Sequence, residues 1–144
     1  MILISHRGNI NGKIPSSENN PKYIQEALDQ GYNVELDIWY KEGLWLGHDY
    51  PKHKIDLEWL LNRRNELWIH AKNYEVINKL IDYDLNIFWH QNDDITLTSK
   101  NYLWVFPGKQ PIKRSIAVLP ELNDDDVSSC KGICSDYILK YKTL

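Results

Sequence analysis

The seven residues Asn33-Val-Glu-Leu-Asp-Ile-Trp39 constrain this chain more than any other stretch. Val34, Leu36 and Ile38 alternate with Glu35 and Asp37, which is the two-residue period of a β-strand. One face of the strand is apolar and needs covering. The other carries two carboxylates one strand repeat apart. Two oxygen donors converging from the same side suit a hard cation. The same alternation also describes a half-exposed antiparallel strand with a solvated acidic face, and the stretch by itself favours neither.

Its surroundings set the fold class. Met1 to His6 reads as a first strand buried on both faces. Leu67 to Lys72 and Asn86 to His90 read as further main strands. Tyr102 to Phe106, Ser115 to Leu119 and Gly132 to Asp136 follow, and Leu44 to Leu46 returns from a turn at Lys41-Glu-Gly43. Helical segments separate the early strands. Pro21 to Gln30 has Ser17 or Asn20 as cap, a first-turn proline, an apolar stripe of Ile24, Ala27 and Leu28, and Gly31 as stop. Leu57 to Arg64 is capped by Asp56, and Tyr74 to Asp82 turns Val76, Ile77, Leu80 and Ile81 inward. After that the helices fade: Pro107 to Pro111 is a loop, and Asp124 to Ser129 offers one helical turn.

Strands alternating with helices argue for parallel β/α architecture. His6, Asp37, Lys72, His90 and Asp136 all sit at or just before a strand's C-terminal end, the rim where (β/α) barrels place their chemistry. Such barrels usually need ~250 residues, and this chain has 144. The expectation is therefore an α/β fold, a reduced (β/α) TIM-type barrel forming a single domain over 1–144, with several helices missing in the second half.

Composition narrows the functional classes. Hydrophobic residues at 42% and charged residues at 26% are ordinary for a soluble globular domain. With a net charge of −3 and scattered basic residues, no footprint for nucleic acid exists. No apolar run approaches a membrane span, and the N-terminus lacks the regions of a signal peptide. A cytoplasmic location is the default, and nothing sets an oligomeric state. Cys130 and Cys134 have no second pair with which to hold zinc and read as reduced thiols. Most of the aromatic residues read as core filler, with one or two suited to an aromatic wall of a binding site. Trp89, Trp104 and Phe106 read as barrel filling or outer packing more than as a ligand platform. Lys109 reads as a surface lysine more than as a group reaching over the rim to an anionic substrate.

Taken together, the polar motifs resemble a known family. Ser5-His6-Arg7-Gly8, Ser17-Glu18-Asn19-Asn20, Val34-Glu35-Leu36-Asp37 and Gly47-His48-Asp49, in this order and spacing, are similar to the glycerophosphodiester phosphodiesterases, within the phospholipase C-like phosphodiesterases. The resemblance is dense over residues 4–49 and thinner beyond. Trp68-Ile-His-Ala-Lys72 stands where the family has Glu-x-Lys, and Ile133 to Tyr137 where its final strand ends in Thr-Asp.

The resemblance implies a (β/α) barrel that cleaves small-molecule phosphodiesters with a divalent cation and two histidines. His6 and His48 become the acid–base pair, Glu35 and Asp37 metal ligands, and Arg7 and Lys72 the cations that hold phosphate. Glu18 supports them. The chain departs from the family at His70, which replaces a third metal-binding carboxylate. Either imidazole ligation moves the preference from Mg²⁺ and Ca²⁺ towards Mn²⁺ or Zn²⁺, or another acid such as Asp93 or Asp136 completes the shell, or the site is weak. His70 also reads as a packed core histidine. His90 reads equally as an extension of the site and as a capped turn leading to Ile95-Thr-Leu97.

The chemistry is coherent without the family. A phosphodiester gains charge on its non-bridging oxygens in the transition state, which a cation and fixed donors stabilise. Two histidines near their free pKa can take one proton and give another. The expected function is metal-dependent hydrolysis of a glycerophosphodiester-like or other polyol-linked phosphodiester. The alternatives are a lyase giving a cyclic phosphate, and an inactive barrel binding phosphorylated glycans or head groups.

Overall fold

The computed structural model describes residues 1–143. It begins with β1 (Ile2–His6), and Asn20 then accepts the Lys22 amide to start α1 (Pro21–Asp29), with Pro21 in the first turn. β2 (Asn33–Tyr40) follows and turns back through β3 (Leu44–Leu46) and β4 (His53–Ile55). Asp56 caps α2 (Leu57–Leu61), which leads to β5 (Leu67–Ala71), α3 (Tyr74–Leu80) and β6 (Ile87–Trp89). The remainder holds β7 (Ile95–Leu97), β8 (Leu103–Val105), β9 (Ser115–Val118) and β10 (Gly132–Ser135). Its only other helical pieces among the described residues are 3₁₀ turns at Pro120–Leu122 and Ile138–Tyr141.

All ten strands join one mixed sheet. A parallel row runs β6-β5-β2-β1-β10-β9-β8, with β3 and β4 added antiparallel beside β2 and β7 antiparallel beside β8. The reduced (β/α) barrel expected from the sequence is therefore not what forms. The chain makes a ten-stranded mixed sheet with three short α-helices, all of them before residue 81. The physical reason lies in the connections. From β6 onward the strands are joined by loops and a 3₁₀ turn, without the 3.6-residue apolar period a covering helix requires.

The sheet's two faces bury different clusters. Val34, Leu36 and Ile38 pack with Ile24 and Ala27 of α1, Leu60 of α2 and Val76 and Leu80 of α3. Ile81, expected inward, is 51% exposed. The opposite face gathers Ile4, Trp68, Phe88, Trp104, Ile116 and Cys134. Phe88 and Trp104 come from the two ends of the parallel row, yet their ring centroids lie 4.6 Å apart. The sheet curls enough to enclose this face, and the enclosure gives the polar residues above the cluster a dry floor.

The β2–β3 hairpin fixes the approach to His48. The Gly47 amide donates to the Asp37 carbonyl at 3.1 Å, and the Trp39 indole donates to the Gly47 carbonyl at 2.7 Å. Gly47 has φ +153°, and an added Cβ would overlap the Tyr50 carbonyl oxygen. Gly47→Ala should therefore cost about 1–3 kcal/mol, the scale of a strained backbone position. Urea unfolding checks it, and an unchanged midpoint would contradict the expectation.

Candidate functional site

The register of the sheet assembles the site. Glu35 pairs with His6 across β1–β2, and Asp37 pairs with His70 across β2–β5. Paired residues of parallel strands point to the same face, so these four side chains share the enclosed one. The half-exposed acidic strand is thereby excluded: Glu35 is 3% and Asp37 0% exposed. One residue beyond the Ser5–Ser135 pairing, His6 Nδ1 lies 2.7 Å from Asp136 Oδ1.

Around this core the loops hold several of the charged groups. Asn9 donates through Nδ2 to Glu18 at 2.8 Å and to Asp136 at 2.9 Å, and its Oδ1 accepts the Tyr23 hydroxyl. Asn19 grips Asp37 twice, accepting its amide at 3.0 Å and donating to Oδ2 at 2.9 Å. Arg7 stands 3.3 Å from both Glu18 and Asp37. Arg7 and Asn19 hold left-handed backbone angles, φ 57° and 63°, strain that is characteristic of functional sites.

The electrostatics follow from burial and from these neighbours. Glu35 is pushed up to about 7, first by burial and then by the Asp37 charge, against His6, Arg7 and His70. Burial acts in the same direction on Asp37, but His70, Arg7 and Asn19 outweigh it and hold that carboxyl well below the usual range. Burial also disfavours the charged form of His6, yet the Glu35 charge and the Asp136 hydrogen bond raise its pKa above the ordinary value. His90 is lowered by burial and by His70, against Asp93.

The donor set fits a divalent cation. Ligand atoms of Glu35, Asp37 and His70 all lie within 4.8 Å of one another. Glu35 Oε1 and Asp37 Oδ1 are buried without a hydrogen-bond partner, a costly state for charged oxygens. His70 Nε2 lies 3.1 Å from the His90 carbonyl, which can only accept, so Nε2 carries the hydrogen. Nδ1 faces Asp37 Oδ1 at 3.2 Å. A proton on Nδ1 would make this an ion pair, and a metal ion would be held by both atoms. A Nδ1 donor whose other nitrogen is pinned by a carbonyl is the usual arrangement of a metal-bound histidine. His70 lines the cleft beside Asp37, whereas Asp136 is engaged with His6, and Asp93 lies beside His90 at 3.6 Å.

A proton would compete with a cation at Glu35. Affinity for Mn²⁺ should fall about tenfold per pH unit below pH 7, as expected for one competing proton. Metal-free stability has the opposite sign. A carboxyl raised from 4.5 to about 7 is protonated in both states at low pH, and the folded state loses stability as pH rises through that interval. Calorimetry at pH 8, 7 and 6 checks the first statement, and equal affinities would refute it.

Over this core opens a cleft of about 520 Å³. It brings together His6, Arg7, Glu35, His48, His70 and Lys72 from four separate stretches of chain, and His90 joins them. Glu18 lies behind Arg7, and Asp136 is buried behind His6. His48 Nδ1 pairs with Asp49 at 2.8 Å, and Lys72 is held where its amide donates to the Ile38 carbonyl at 2.8 Å.

Several residues at the site were read otherwise from the sequence, or not singled out at all. Trp89 and Phe106, read as packing, are 36% and 44% exposed and line the cleft, while Trp104 is buried as expected. Lys13 lines the cleft as well. Asn9 and Asn19 carry several of the site's hydrogen bonds. Asn19 belongs to the Ser17–Asn20 motif, whereas the only signal for Asn9 was a place in the polar loop between β1 and α1. Lys109 is a surface lysine, 3.5 Å from Asp94. Among the described residues no helix is long and apolar enough to cross a membrane. Comparison with family models, curated proteins and solved structures finds no match to this chain.

Proposed function

We propose that this chain is a divalent-metal-dependent phosphodiester hydrolase acting on a glycerophosphodiester-like or other polyol-linked phosphodiester. The observation that carries the reading is the convergence of His6, Arg7, Glu35, His48, His70 and Lys72 on one cleft. The spacing of the four N-terminal motifs supports it independently.

Glu35, Asp37 and His70 would hold the cation, which supplies positive charge where the non-bridging oxygens gain negative charge. Arg7, fixed by Glu18 and Asp37, and Lys72 hold the anionic diester. His6 gives Nδ1 to Asp136 and His48 gives Nδ1 to Asp49, so Nε2 is the proton-exchanging atom of each. One Nε2 takes the proton of water as its oxygen bonds to phosphorus. The other gives a proton to the alcohol oxygen as its bond to phosphorus breaks.

³¹P NMR tests this with a glycerophosphodiester and Mg²⁺, Ca²⁺, Mn²⁺ or Zn²⁺ in turn. Phosphomonoester should appear with Mn²⁺ or Zn²⁺, given the imidazole ligand, and not in chelator. A cyclic phosphate would replace hydrolysis by attack of a substrate hydroxyl. No turnover with any of the four would overturn the enzymatic reading.

A further inference from the structure

The lining of the cleft is of two kinds. Part of it is the carboxylate, histidines and cations already described. The rest includes the apolar side chains of Trp89, Phe106, Pro107, Leu119 and Leu122. Trp89, Phe106 and Leu122 are 36%, 44% and 65% exposed, so they form a wall facing the cleft rather than part of the core. Phe106 is braced by the His90 ring, with centroids 5.7 Å apart. Leu119 holds a left-handed φ of 46° at the entry to the 3₁₀ turn, where the chain turns towards Leu122. The wall is continuous with the buried cluster below through Trp104 and Val118, which line the same cleft.

A glycerol or polyol group would leave this wall wet and unmatched. Deepening the proposed phosphodiester chemistry, we infer that the substrate is an amphiphilic phosphodiester. One of its two ester groups is apolar, an alkyl chain or a planar ring, and lies against Trp89, Phe106 and Leu122. The phosphate charge is met by Arg7 and Lys72, which line the same cleft. The volume of about 520 Å³ is that of a site for one ligand of moderate size.

The test is binding rather than turnover. The Mn²⁺-loaded protein is titrated calorimetrically with dimethyl, methyl butyl, methyl hexyl and methyl phenyl phosphate. Each buried methylene should tighten binding by up to about fourfold, so the hexyl ester should bind at least tenfold more tightly than the dimethyl ester. Comparing the hexyl and phenyl arms shows which apolar group the wall prefers. Phe106→Ala, at a half-exposed position whose truncation opens no core, should flatten the series. Thermal unfolding of this variant confirms that it is folded, and Trp89→Phe serves as a second wall variant. A series equally flat in the native protein, or a hexyl-to-methyl ratio unaltered in both variants, would overturn the inference. Chain-length dependence without hydrolysis would keep it and remove the hydrolase reading. Hydrolysis with a flat series would do the reverse.

Discussion

Replacing His6 or His48 with alanine will lower kcat by about 10²–10⁴, the contribution of a positioned acid or base, without a matching change in KM. Both imidazoles line the cleft beside Glu35, and each has Nδ1 committed to a carboxylate, leaving Nε2 for proton transfer. The double variant will lose much less than the product of the two single losses, because groups that act as a unit are not additive. The native pH–rate profile will be bell-shaped, with one limb for each histidine in its required state. A nitrophenyl ester, whose leaving group needs no proton, will restore activity to the variant lacking the acid and not to the variant lacking the base. Near-native kcat in both alanine variants would exclude the paired-histidine mechanism.

Asp136→Asn is expected to be almost as damaging. Asp136 Oδ1 accepts from His6 Nδ1 at 2.7 Å and from Asn9 at 2.9 Å. An amide at the orienting position of a histidine disturbs its tautomer, and at comparable sites this costs up to about 10⁴ in rate. The pH profile separates this from simple misfolding. Asp136 helps to raise the His6 pKa, so removing its charge must move the His6 limb to lower pH while the His48 limb stays. A uniform loss of rate with both limbs in place would reduce Asp136 to a structural residue.

How far the sequence could be read differs sharply from one element to the next. β2 was legible because apolar–polar alternation over seven residues matches a strand and no helical period, and α1 because Asn20, Pro21 and Gly31 mark its two ends. Alternation cannot tell a solvated polar face from an enclosed one. The burial of Glu35 and Asp37 depends on the sheet curling until Phe88 and Trp104 meet, a long-range event with no local signature. The barrel expectation failed for a related reason. Strand number and polar strand ends do not report what connects the strands, and beyond β6 the connections are not α-helical. β4 and β7 have three residues each, too few for a period to show. α2 stops at Leu61 rather than Arg64, and Pro120 starts a 3₁₀ turn upstream of the turn expected at Asp124.

The site was more legible than the fold. His6, Glu35, Asp37 and His48 lie in motifs whose order survives whatever connects the strands, and register then delivers His70 to Asp37. Trp89 and Phe106 were misread because an aromatic residue has the same local pattern whether it fills a core or lines a cleft.

The central claim is that the buried Glu35–Asp37–His70 cluster holds a divalent cation on which phosphodiester hydrolysis in this cleft depends. Its most direct test is Mn²⁺ activation of phosphodiester turnover, measured in parallel on the native protein and on Glu35→Gln. The native protein is predicted to show saturable activation from a metal-free baseline near zero. Glu35→Gln, folded by circular dichroism, is predicted to need at least tenfold more Mn²⁺ for half-activation, because one anionic ligand has become neutral. Turnover independent of Mn²⁺, or the same activation curve in both proteins, would contradict the account.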